Sequence, residues 1–427
     1  MRRHLIGHSE EGRPIRVLYT GDEAASLRVL IVSRQHGDEH RARKAVRRFA
    51  RTEPPDAPVP VAVALVPELN PDGAARRTRA NAHGVDLNRD HLRLASAETQ
   101  ALHRFVRTWR PHLIVDVHSF PPRRRHLLAR QLIYCHDVFL DVPTHPAAQH
   151  PALGPDGTRL LAPILSALSA AGYRSARYTR VTASGKVRHS TPDVVDGRNG
   201  LALRYGVPTV LVEGRRWSPG DDPALKAHVL TAMERALSLI VGWAQANYAL
   251  LADARPEPPV QQSVPVRSRY RRAGGSCTLA FADARSGQIR VLELPERFTP
   301  WLKARARVSL PRAYAVPCAQ HAVLEVLRRQ AFALMPSPPD RVERIERYWV
   351  DALKAPRRPH RSPRKLRLRV STEERPLNGY LLVPVAADGG RALAVFLEPA
   401  SKYGLARFAD MDLPLTPQSA YPVLRVL

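Results

Sequence analysis

An α/β sheet with helices on both faces is what this sequence predicts for its first half, followed by a second part built from short strands. Three observations carry that expectation. The chain has 427 residues, too many for one ordinary core, so two domains are the default. Up to about residue 250, short apolar runs rich in β-branched residues alternate with longer helix-like segments. Beyond a proline-rich polar break the texture changes to short strands and turns.

The strand candidates of the first half are 15–19, 28–32, 61–66, 113–117, 131–135 and 209–212, each bounded by turn formers. Helix candidates lie between them at 39–51, 96–110, 158–171 and 223–251, and Ser96 with Glu98 or Thr99 behind it suits a helix start. The expected division is therefore a catalytic-type domain over 1–252, a linker over 253–272 and a β-rich domain over 273–427. In the last of these, "CTLAFAD", "IRVLELP", "RARVSLP", "YLLVPVA", "RALAVFLEP" and "YPVLRVL" are expected to be strands, with one helix around 320–329. Residues 354–369 hold eight basic residues and no acidic one, which suits a solvated loop and a basic edge strand.

Composition narrows the classes. With 44% hydrophobic and 25% charged residues the chain is globular, and no apolar stretch approaches the roughly 18 residues a membrane helix needs. The start, "MRRHLIGHSEEGRPIRVL", lacks an apolar h-region and a cleavage site, so a cytoplasmic location is expected for the chain as it stands. Cys135, Cys277 and Cys318 are far apart and lack metal-type spacing, as expected of reduced thiols. The net charge of +27 is mostly arginine spread along the chain, which favours salt-sensitive sticking to polyanions over specific nucleic-acid binding. The sequence carries no signal for oligomeric state.

The chemistry begins at "VLIVSRQHGDEHRARKAV", where an apolar run ends in His36 and Glu39. Such a pair can present one nitrogen and one carboxylate to a divalent ion, although a polar cluster at a helix start would look the same. "PHLIVDVHSF" places His118 at the end of another apolar run, and strand carboxyl ends are where open α/β sheets bind ligands. "YGVPTVLVEGRR" ends in Glu213, which suits a proton acceptor or an ion-pair partner for Arg215 or Arg216. Between these segments, residues 70–90 are rich in arginine, asparagine and turn signals; Arg79 suits an oxyanion, and Arg89 with Asn88 a carboxylate clamp.

The order "QHGDEH", "NPDG", "RANAHGVDLNRD", "DVHS", "VPTVLVEG", opened by "IGHSEEGRPI", resembles the zinc carboxypeptidase family, the carboxypeptidase A-like metallopeptidases, over roughly residues 4 to 250. The resemblance implies a mixed sheet flanked by helices and one zinc ion per chain. It implies that His36, Glu39 and His118 bind the metal, with Asp86 orienting His36. It makes Arg79 the oxyanion stabiliser, Asn88 and Arg89 the clamp on a substrate's terminal carboxylate, and Glu213 the general base and acid. The implied substrate is a peptide, including a cell-wall-type peptide. The chain departs from the family at "NRDH", where Asp90 and His91 replace the usual continuation. It also lacks a tyrosine about twenty residues before Glu213, where only Tyr178 and Tyr205 flank the region. Arg198 falls near the family's specificity position and suggests an acidic substrate side chain. The C-terminal part is similar to the accessory β-region of some bacterial members. Two other functions fit the residues: an amidohydrolase of small N-acyl amino acids, and a non-catalytic module binding zinc and a polyanion.

Overall fold

The computed structural model describes residues 2–22, 24–52, 59–182, 187–217, 220–253, 263–271, 278–293, 301–354, 365–385, 389–413 and 416–427. The early strands are β1 (Arg2–His8), β2 (Pro14–Gly21), β3 (Leu27–Ser33), β4 (Val61–Val66), β5 (Leu113–Phe120), β6 (Leu132–Tyr134), β7 (Val138–Asp141), β8 (Ser175–Arg177), β9 (Thr179–Val181), β10 (Val187–His189) and β11 (Thr209–Arg215). The large sheet has the order β1-β2-β4-β3-β5-β11-β7-β8. Its central strands β4, β3, β5 and β11 are parallel, while β1, β2 and β7 join antiparallel neighbours, so the sheet is mixed.

Period-two alternation decides which face each strand residue serves. Val29, Ile31, Val63, Leu65, Val115, Val117, Val210 and Val212 pack on one face, against α1 (His40–Phe49), α5 (Thr158–Ala170) and α7 (Pro223–Ala246). Leu30, Val32, Ala64, Val66 and Ile114 serve the other, under α3 (Ala97–Trp109) and α6 (Gly197–Tyr205). Buried on both faces, these strands are near-continuous apolar runs, which is what made them visible in sequence. The short helices α2 (Pro71–Arg76) and α4 (Arg125–Leu128) and the helix α8 (Tyr248–Asp253) complete this half. Among the described residues no helix is long and apolar enough to cross a membrane.

The C-terminal half adds β12 (Ser263–Arg271), β13 (Thr278–Asp283), β14 (Ile289–Glu293), β15 (Trp301–Ser309), β16 (Ala313–Pro317), β17 (Met335–Pro336), β18 (Val342–Lys354), β19 (Lys365–Pro376), β20 (Tyr380–Pro384) and β21 (Leu424–Val426). β17-β20-β16-β21-β18-β19 form an antiparallel sheet, and α9 (His321–Arg329) and α10 (Gly390–Leu397) pack with it. Two expectations need correction. The expected linker 253–272 contains β12, in which Val264, Pro265, Val266 and Ser268 are buried. The run "RALAVFLEP" is helical, not a strand: α10 is buried on all sides from Gly390 to Leu397, and an unbroken apolar run does not distinguish a buried helix from a buried strand. Of the basic stretch 354–369, residues 355–364 lie outside the described residues, and the remainder belongs to β18 and β19. Cys277 also lies outside them, while Cys135 and Cys318 are free thiols.

The two halves share structure. β13 adds to β6, with Phe281 opposite Tyr134. One core cluster combines Leu92, Val194 and Leu203 with Tyr314, Leu327 and Phe396. Phe281 is 1% exposed and stacks among Phe120, Tyr134 and Phe139. Replacing such a buried ring by alanine typically costs about 3–5 kcal/mol. Phe281→Ala is therefore expected to lower unfolding free energy by that amount, measured by urea denaturation with a probe in the large sheet. An unchanged midpoint would mean that β13 does not support the first half.

Candidate metal centre and cleft

Sheet register assembles the site. β3, β5 and β11 are parallel neighbours, so their carboxyl ends open on one edge. His36 follows β3, His118 lies near the end of β5, and Glu213 stands directly opposite His118 in β11. Glu39 follows His36 as the residue preceding α1. His36, Glu39 and His118 each offer a ligand atom, and these atoms lie within 4.8 Å of one another.

The three side chains point inward. His36 Nδ1 is 2.8 Å from Glu39 Oε1, and His118 Nδ1 is 3.1 Å from Glu39 Oε2. The outer nitrogens face other carboxylates: His36 Nε2 is 3.3 Å from Asp86 Oδ1, and His118 Nε2 is 3.0 Å from Asp116 Oδ1. Burial works against a charged Glu39, but the two imidazoles outweigh it and hold its pKa well below the usual range. Burial likewise opposes charge on His118, yet Asp116 and Glu39 on its two sides raise its pKa well above the usual value. The two inner ring nitrogens and the Glu39 carboxylate thus converge, with a further carboxylate behind each ring. A divalent ion would accept the inner lone pairs of both rings and of Glu39, so this donor set fits zinc, whose catalytic sites use three protein ligands. Asp86 and Asp116 would then fix the ring orientations.

Around this centre lies a cleft of about 430 Å³ lined by Arg79, Asn88, Arg89, Arg124, Tyr178, Arg180, Arg198, Glu213 and Arg216, among others. Arg79 donates to Asp86 at 2.9 Å, which leaves its terminal nitrogens for the cleft. The Asn88 amide oxygen accepts from the backbone N–H of Gly197 at 2.8 Å. Glu213 is partly exposed to the cleft, and loss of hydration raises its pKa above the usual value. Arg216 does not pair with Glu213. It donates to Asp38 at 3.0 Å and to Glu39 at 2.8 Å.

Arg198 lies deep in the cleft wall. It is 2% exposed, and its guanidinium donates to Asp141 at 2.7 Å and to the Thr191 carbonyl at 3.0 Å. A buried guanidinium needs a counter-ion, and Asp141 supplies one. Of the two candidate tyrosines, Tyr178 lines the cleft. Tyr205 instead hydrogen bonds to His103 in the interior, 2.8 Å from Nδ1.

Sequence reasoning missed Asp116 and Gln35, and gave Arg216 only as a partner for Glu213 rather than for Glu39. Asp116 had a signal: it is two residues before His118, so strand alternation places both on one face. Gln35, which donates to Asp116 at 2.7 Å, had none beyond its place beside His36.

Residues 1–121 match the family model described as zinc carboxypeptidase. A "Carboxypeptidase 2" of Trichophyton rubrum is 29% identical over 151 residues, 33% of this chain and 27% of that protein. The "Carboxypeptidase 2" of Trichophyton equinum is 24% identical over 316 residues, 69% of this chain and 52% of that protein. The chain thus spans from about a quarter to about half the length of these relatives. Among solved structures, a metallo-carboxypeptidase from Pseudomonas aeruginosa is 20% identical, with a TM-score of 0.43, covering 57% of this chain and 64% of its own. A murein-tripeptide amidase from Escherichia coli O157 is 19% identical, with a TM-score of 0.36, covering 56% and 91%.

Proposed function

For a chain whose residues 1–121 match the zinc carboxypeptidases, we propose zinc-dependent hydrolysis of the C-terminal residue of a peptide, with one zinc ion per chain. The observation that carries this is the convergence of His36, Glu39 and His118 beside Glu213 in a cleft also lined by Arg79, Asn88 and Arg89. Zinc, when bound there, supplies a Lewis acid that acidifies water and polarises a carbonyl.

The chain's own groups do the rest. Asn88 and Arg89 hold the terminal carboxylate, the planar guanidinium matching its two oxygens. Arg79 donates to the carbonyl oxygen as negative charge develops on it. Glu213 accepts a proton from the attacking water as its oxygen bonds to the carbonyl carbon, then delivers that proton to the leaving amine as the C–N bond breaks. Asp86 and Asp116 hold the two ligating imidazoles. Residues 1–252 carry this chemistry, and residues 273–427 form the accessory β-rich part.

The test is mass spectrometry of a mixed peptide library, cell-wall-type peptides included, incubated with zinc-loaded protein beside Glu213→Gln. Shortening from the C-terminus by the wild type alone is expected, and the residue released defines the pocket. A library untouched by both proteins overturns peptide hydrolysis.

A further inference from the structure

A line of buried hydrogen bonds runs from the C-terminal half toward His118, and beyond Asp116 the hydrolytic chemistry above makes no use of it. Asp116 Oδ1, 3.0 Å from His118 Nε2, also accepts from Gln35 Nε2 at 2.7 Å. Gln35 Oε1 is 2.7 Å from His91 Nε2, and His91 Nδ1 is 3.1 Å from His103 Nε2. His103 Nδ1 meets the Tyr205 hydroxyl at 2.8 Å. Gln35, His91 and His103 are fully buried, and Asp116 is 1% exposed.

The proton order along this line is forced. Burial lowers the His91 pKa to about 4 and that of His103 well below the usual value, so both rings are neutral near pH 7. A neutral imidazole has one donor and one acceptor. Gln35 spends its amide N–H on Asp116, so its oxygen must accept from His91 Nε2–H. His91 Nδ1 then accepts from His103 Nε2–H, and His103 Nδ1 from the tyrosine hydroxyl. Every donor points toward Asp116. Asp116 in turn accepts from His118 Nε2–H, which would turn His118 Nδ1 toward a metal ion held beside Glu39.

The C-terminal half holds this line in place. Gln330, just past α9 and fully buried, donates to the carbonyls of His91 at 3.0 Å and Leu92 at 2.9 Å. Arg204 of α6 donates to the Gln330 carbonyl at 2.8 Å and stacks on Phe332 at 4.1 Å. Gly197 lets α6 close over the line: a Cβ there would lie 2.8 Å from Gln35 Nε2 and 2.9 Å from Asp116 Oδ2.

We propose that Gln330, His91 and Gln35 are positioning residues through which the C-terminal half sets the orientation of His118 and thereby the metal affinity of the site. The inference rests on the zinc site proposed above. It gives the C-terminal half a part in the centre itself, although that half contributes no ligand.

The test uses the full chain and reads zinc affinity by chelator competition and the visible spectrum of the cobalt-substituted site, neither of which requires a substrate. Gln35→Met keeps the volume and removes both hydrogen bonds. It is expected to weaken zinc binding about 10-fold, the scale seen when partners of a ligating histidine are lost, and to change the cobalt spectrum. Gln330→Met, far from any ligand, is expected to weaken binding about 3-fold in the same direction. Tyr421→Phe is the control: it removes a buried 2.8 Å bond to the Leu397 carbonyl in the same half but off the line, and is expected to leave affinity unchanged. Wild-type affinity and spectrum in folded Gln35→Met and Gln330→Met overturn the inference. An equal loss of affinity in Tyr421→Phe does so as well, because any destabilisation would then act alike. If the wild type itself takes up no zinc, the proposed function falls first and this inference with it.

Discussion

Glu39→Ala is expected to lose zinc and, with it, hydrolysis. Glu39 is 1% exposed and its carboxylate meets four groups: His36 Nδ1, His118 Nδ1, the Ser119 N–H and the Arg216 guanidinium. Structural zinc sites bind with apparent free energies of about 10–16 kcal/mol over four ligands, or roughly 3 kcal/mol for each. Losing one of three ligands should therefore weaken binding by about 100-fold or more. The metal-free protein should also suffer, because Arg216 keeps only Asp38 as a carboxylate partner and the Ser119 N–H keeps no carboxylate. Breaking a buried ion pair on one side typically costs about 3–5 kcal/mol. Chelator competition and thermal unfolding of the metal-free variant separate the two losses. Zinc affinity within a few-fold of wild type would remove Glu39 from the ligand set.

Glu213→Gln is expected to show the opposite pattern: zinc retained, turnover lost. Glutamine keeps the shape but cannot accept a proton. General acid–base groups contribute about 10²–10⁴-fold, and kcat should fall by that factor with KM little changed. Among the described residues Glu213 has no ion-pair partner, so its replacement leaves no charged group stranded and the fold should hold. A kcat within a few-fold of wild type would assign the proton transfer elsewhere. Tyr178, which lines the same cleft, would then be the next residue to replace.

Much of the site was legible because each ligand interrupts an apolar strand pattern at its carboxyl end. His36, His118 and Glu213 each follow such a run, and the parallel register brings the runs together. The outer carboxylate Asp116 was half legible, since it shares a strand face with His118. The counter-ion of Arg198 was not legible, because sequence position does not reveal Asp141, 57 residues away. The helix at Gly390–Leu397 misled because burial on all sides erased its period. The line from Gln330 to Gln35 had no sequence signal, because it joins residues 239 positions apart through one amide and two carbonyls.

The pairing of β13 with β6 also bears on how the chain is made. Phe281 sits opposite Tyr134, 147 residues earlier. At about 5–20 residues per second, a ribosome would need roughly 7–30 s to bring the later strand out after the earlier one. For that interval β6 has an open edge, and the aromatic cluster of Phe120, Tyr134 and Phe139 lacks Phe281. The nascent chain would thus display His36, Glu39 and His118 before β13 could complete the aromatic cluster that includes Phe120.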